Sequence, residues 1–132
     1  MHNIKKILYI MLLSSILFSA DLEWLHDYDK ALEIAKKEKK DVYMFVGADV
    51  CRWCDRFKET TLSKKDVIDR LQKEYVLLYL SRDRHYIPKH FEVQGVPRHY
   101  FLRNDGSLIH ADKGGREVDG FYMMLDEVSL KK

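Results

Sequence analysis

Two cysteines occur in 132 residues, and they stand three positions apart, as Cys51-Arg52-Trp53-Cys54. Residues three apart on a helix face the same way, at a Cα separation that a disulfide can span. The pair can therefore close and open without rearranging the backbone. Cys51, at the N-terminal end of the expected helix, meets unpaired N–H groups and the positive end of the dipole, and Arg52 adds a nearby charge. Both favour thiolate, which makes Cys51 the candidate nucleophile and Cys54 the resolving thiol. Attack of Cys51 on a partner disulfide gives a mixed disulfide, and attack by Cys54 then releases the reduced partner; oxidation runs the same steps backward. Trp53 is placed to pack over the pair and shape a docking surface.

Two other uses compete. A structural bridge closing a two-residue loop removes little entropy from the unfolded chain and is a weak staple. A C-x-x-C also supplies half of a tetrahedral metal site, and His85, His90 and His99 lie downstream as partners for a copper-handling set. The other half has no recognisable spacing, so no metal ligand is assigned. Metal binding, or a non-catalytic interaction module on the same fold, stands as the alternative.

The surrounding chain must position the pair. Asp27 caps a helix in which Tyr28, Ala31, Leu32 and Ala35 recur at helical spacing, ending in the run Lys36, Lys37, Lys39 and Lys40. Val42 to Val46 is apolar without helical period and reads as a strand buried on both faces, ended by Gly47. A loop, Ala48-Asp49-Val50, then delivers Cys51. The helix that follows carries Trp53, Phe57, Thr60 and Thr61 on one side. Ser63 is expected to cap a second helix over 64–75, with Val67, Ile68 and Leu71 inward. Val76 to Leu80 reads as another buried strand, and Ser81 to Lys89 as a charged loop. Pro88 suits the first turn of a short helix within 86–93. Strands over 98–103 and 107–111 flank a hairpin turn at Asn104-Asp105-Gly106, and a last helix over 118–130 puts Phe121, Met124, Leu125 and Val128 on one face.

Composition narrows the setting. At this length, with 46% apolar residues, one domain with one core is expected. The formal +2 comes from Lys5 and Lys6, because from Asp21 onward the basic residues equal the 21 acidic ones. Nothing favours a nucleic acid partner. Residues 1–20 read as a secretory signal: Lys5 and Lys6, an apolar Ile7 to Phe18, and small Ser19-Ala20. As a helix the apolar stretch reaches only about 18 Å, against a hydrocarbon core of roughly 30 Å. The bulky Phe18 before the expected cleavage point keeps an uncleaved N-terminal anchor open. Export places the cysteines where a disulfide persists, in the periplasm if the source is a Gram-negative bacterium. Residues 21–132 form the domain.

With these elements in order, the chain from about Leu22 to Lys131 resembles the thioredoxin-like superfamily, and within it exported domains with an N-terminal Trp and helix, here Trp24 and Tyr28 to Lys36. Cys51-Arg52-Trp53-Cys54 after an apolar strand and Gly95-Val96-Pro97 before the hairpin carry the likeness. The resemblance implies an α/β thioredoxin-like fold: a central mixed sheet flanked by helices, with an N-terminal helical extension. It implies a cis bond before Pro97 beside the dithiol, with Val96, Pro97, Trp53 and Arg52 as substrate-contacting residues. It also implies a thiol:disulfide oxidoreductase, more a reductase than an oxidase, with no cofactor beyond the cysteine pair. The partners implied are protein thiols and disulfides, a membrane electron donor is compatible, and the chain is expected to be monomeric. Val50 and Arg52-Trp53 depart from thioredoxin proper, which has Trp before the first cysteine and Gly-Pro between the two. Phe45 stands where the family has a buried acid, leaving open whether solvent, Asp49, Asp55 or the substrate takes the Cys54 proton.

Overall fold

In the computed structural model, residues 24–132 are described; the expected signal or anchor lies outside them. Helix α1 spans Tyr28–Glu38, and Asp27 caps it by accepting from the Lys30 N–H at 3.0 Å. Strand β1 (Asp41–Gly47) leads through a short loop to α2 (Arg52–Thr60), which is followed by α3 (Lys65–Glu74) and β2 (Tyr75–Ser81). Strands β3 (Arg98–Leu102) and β4 (Leu108–Lys113) form the hairpin, and α4 (Val118–Ser129) ends the fold. The sheet order is β2-β1-β3-β4, with β1 parallel to β2 and antiparallel to β3. Leu25 adds a parallel bridge to Leu78 on the outer side of β2.

The period-two alternation of β1 sorts the core into two layers. Tyr43 and Phe45 point toward α2, α3 and α4, where Cys54, Phe57, Val67, Leu71, Phe121, Met124 and Leu125 meet them. Val42, Met44 and Val46 point the other way, onto Tyr28, Ala31 and Ala35 of α1 and onto Phe91. Both faces of β1 are covered, which is why its sequence is continuously apolar. The dithiol follows the C-terminal end of this innermost strand.

Two local expectations are corrected. Residues 86–93 form no helix: the chain makes a turn in which the Phe91 N–H donates to the Pro88 carbonyl at 3.1 Å. Tertiary contacts override local helix signals here, because Phe91 is buried against Tyr28 and Tyr100 and the Tyr100 hydroxyl donates to the Glu92 carbonyl at 2.5 Å. Ser63 does not cap α3 either. Its hydroxyl donates back to the Glu59 carbonyl, and Lys64 takes the capping position without a side-chain bond. The hairpin turn forms where expected, with Gly106 at φ +88°, a left-handed conformation that favours glycine.

Candidate functional site

Cys51 is the residue that starts α2. Its backbone is extended while its carbonyl accepts the Asp55 N–H at 3.0 Å, so it is the N-cap and not a residue of the first turn. Its sulfur sits in the role that Ser or Asp fills at other helix starts, accepting the Cys54 N–H at 3.1 Å. The two cysteines form a disulfide with Cα atoms 5.2 Å apart. Burial distinguishes the two: Cys54 is fully buried while Cys51 is 8% exposed. In a reduced form the same N–H and the helix dipole would favour negative charge on the Cys51 sulfur.

The flanking residues are outward. Val50 is 94% and Trp53 56% exposed, which sets an apolar lip around a nearly closed disulfide. The Arg52 guanidinium lies 5.4 Å from the centre of the Trp53 ring, so it is engaged with the indole. Trp53 also lines a crevice of about 300 Å³ with Arg56, Phe57, Thr60, Gly115, Arg116 and Glu117. The Val96–Pro97 bond is cis. Pro97 is buried, and Val96 packs against the core layer that holds both cysteines.

The 114–117 loop walls this site and is pinned from four sides. The Gly114 N–H donates to the Pro97 carbonyl at 2.8 Å, and the Gly114 carbonyl accepts from His99 Nε2 at 2.8 Å. The Thr61 hydroxyl donates to the Arg116 carbonyl at 2.5 Å, and Arg56 pairs with Glu117 at 3.0 Å. A carbonyl can only accept, so His99 carries its proton on Nε2, and its Nδ1 accepts from the Tyr43 hydroxyl at 2.6 Å. Burial among Tyr43, Phe45, Phe57 and Phe121 pushes the His99 pKa down to about 4. His99 is thus a neutral strut between the core and the loop. The sequence shows His99 in a strand but carries no signal for this role, because nothing in an apolar strand tells a paired core histidine from a ligand.

The histidines considered for metal do not converge with the cysteines. His99 has both nitrogens engaged. His85 accepts the Ser81 N–H at 2.8 Å through Nδ1 and stacks on His26, while His90 is exposed beside Phe91. No group of three metal-ligating side chains comes together among the described residues. Of the acids considered for the Cys54 proton, Asp49 is committed elsewhere. Its carboxylate accepts from the Ser81 hydroxyl at 2.8 Å and from Arg84 at 2.6 Å, and these bonds hold its pKa below the usual carboxylate range. Asp55 is exposed on the outer side of α2. Phe45, 1% exposed, fills the family's acid position with a ring against Phe57 and Tyr79, and brings no ionisable group.

A family model described as thioredoxin-like matches residues 23–104. The chain belongs to the thioredoxin-like family. A thioredoxin from Thermus thermophilus superposes with a TM-score of 0.71 at 24% identity, covering 83% of this chain and 88% of that one. The oxidised C-terminal domain of DsbD from Neisseria meningitidis gives 0.65 at 22%, covering 80% and 98%. These likenesses show the thioredoxin-like fold. By sequence, mouse Anterior gradient protein 3 is 26% identical over 106 residues, 77% of this chain, and a protein of Archaeoglobus fulgidus is 27% identical over 70 residues, 53% of it. The chain spans 61% and 55% of the lengths of these two relatives.

Proposed function

We propose that this protein is an exported thiol:disulfide oxidoreductase of the cell envelope, acting through Cys51 and Cys54 as a reductase of protein disulfides. The observation that carries the reading is the asymmetric pair: a disulfide with one cysteine at a helix N-cap and slightly exposed, the other fully enclosed. In the first half-cycle a donor thiolate attacks Cys51 Sγ, the S–S bond breaks, and its electron pair leaves on Cys54. A second donor thiolate attacks the mixed disulfide, the donor departs oxidised, and the dithiol remains. In the second half-cycle the Cys51 thiolate attacks a client disulfide and Cys54 displaces the reduced client. With Phe45 at the family's acid position and Asp49 engaged, solvent or the departing client thiolate takes the Cys54 proton.

Export rests on the basic, apolar and small-residue succession of residues 1–20, and a membrane donor of electrons fits that setting. The reducing direction is supported by the likeness to thioredoxins. Equilibration with glutathione tests it: a potential nearer the ~−270 mV of thioredoxin than the ~−120 mV of a strong oxidant is expected, and the reverse would sink the reductase assignment.

Client docking is assigned to Trp53, Val96 and Pro97, with Arg52 holding the indole. Trp53→Ala is expected to lower kcat/KM for a protein disulfide about tenfold, the scale of one interface anchor. A small aromatic disulfide, which needs no docking surface, should react at the parent rate. Equal losses on both substrates would show that Trp53 acts on the sulfur chemistry instead.

A further inference from the structure

On the flank of α2 away from the 114–117 loop lies a cavity of about 640 Å³, lined by Trp24, Leu25, His26, Phe45, Lys58, Leu62 and Tyr79. Its walls are built from fixed parts. Leu25 exchanges backbone hydrogen bonds with Leu77 and Tyr79 at 2.9 Å, and His26 Nδ1 donates to the Tyr79 carbonyl at 2.9 Å. The Trp24 ring packs edge-on against Phe45, and Phe45 against Tyr79. The cavity is therefore a preformed, mostly apolar concavity, with a volume in the range that small-molecule sites occupy.

One charge enters it. Lys58, on the last turn of α2, holds its ammonium 4.2 Å from the centre of the Tyr79 ring and 5.8 Å from that of Phe45. No carboxylate of the described residues forms an ion pair with it. Contact with ring faces holds the cation in place but leaves its three donors for an anion. In an apolar recess a carboxylate against this ammonium makes a charge-assisted hydrogen bond stronger than one in open water. The aromatic and aliphatic walls match an apolar body attached to that carboxylate.

We infer that the cavity is a binding site for a small monocarboxylate with an apolar, ring- or chain-bearing body, held by Lys58 at the acid and by Trp24, Leu62 and Tyr79 along the body. This site shares no lining residue with the crevice beside Trp53 and does not rest on the redox reading. The full chain in its disulfide form is titrated calorimetrically with 4-phenylbutyrate and, separately, with its neutral amide. The acid is expected to bind at least tenfold more tightly than the amide, with NMR shifts confined to residues around Lys58 and Leu62. Lys58→Met, which keeps the aliphatic stem, should bring the two affinities together, and Lys58→Arg should restore most of the preference. Equal affinities in the parent protein, a preference that survives Lys58→Met, or no binding of either probe would each overturn the proposal.

Discussion

Replacing Cys51 by serine is expected to reduce protein-disulfide reduction to the uncatalysed rate, whereas Cys54→Ser is expected to stop turnover while accumulating covalent adducts. The two outcomes differ because the sulfurs differ in place. In the proposed assignment Cys51, the less buried of the two, is the attacking sulfur, and the Cys54 N–H at the helix start would favour its thiolate. A serine oxygen there is not ionised near neutral pH, so no first step occurs. With Cys54 replaced, the first step proceeds and the mixed disulfide on Cys51 has no internal thiol to resolve it. The check is non-reducing electrophoresis and mass spectrometry of each variant after exposure to a protein disulfide. Adducts on Cys51→Ser, or none on Cys54→Ser, would reverse or remove the assignment.

The second large effect is on stability and comes from His99. Its pKa lies near 4 in the folded protein, against 6.5 for an unburdened histidine, because its ring is enclosed by aromatic side chains. Between these values the unfolded chain binds a proton that the folded chain does not. Acid therefore favours unfolding across that window. The contribution is fully present above about pH 6.5 and is lost progressively as the pH falls toward about 4. A shift of this size corresponds to on the order of 3 kcal/mol. Urea unfolding at stepped pH measures it, with His99→Gln as the comparison, because glutamine does not titrate and its amide can still donate and accept. The difference between parent and variant should narrow or change sign as the pH drops from 6.5 to 4. A constant difference would mean that His99 is not the titrating group.

Much of this was legible from residue order. Continuous apolar runs at 42–46 and 76–80 foretold the two parallel strands because both faces of each are covered, and the helical spacing in 28–35 and 118–130 foretold α1 and α4. The spacing of Cys51 and Cys54 foretold the disulfide. What escaped depended on contacts distant in sequence. Residues 86–93 carry a proline suited to a helix start, but Phe91 is drawn into a layer made by Tyr28 and Tyr100, and that burial outweighs local preference. The bond between Tyr43 and His99 spans 56 positions, and the cavity around Lys58 joins residues 24–26, 45, 58, 62 and 79. No periodicity announces such meetings.

The Leu25 bridge has a consequence for encounters with other chains. A sheet ends in two rows of backbone donors and acceptors that will pair with any loose strand presented to them. Here the β2 row is partly occupied by Leu25, and the outer strand β4 carries His110, Asp112 and Lys113 among its six residues. A chain in extended form pairs with such a border wherever it is left open. Filling one border and charging the other weakens such pairing at both edges of the sheet.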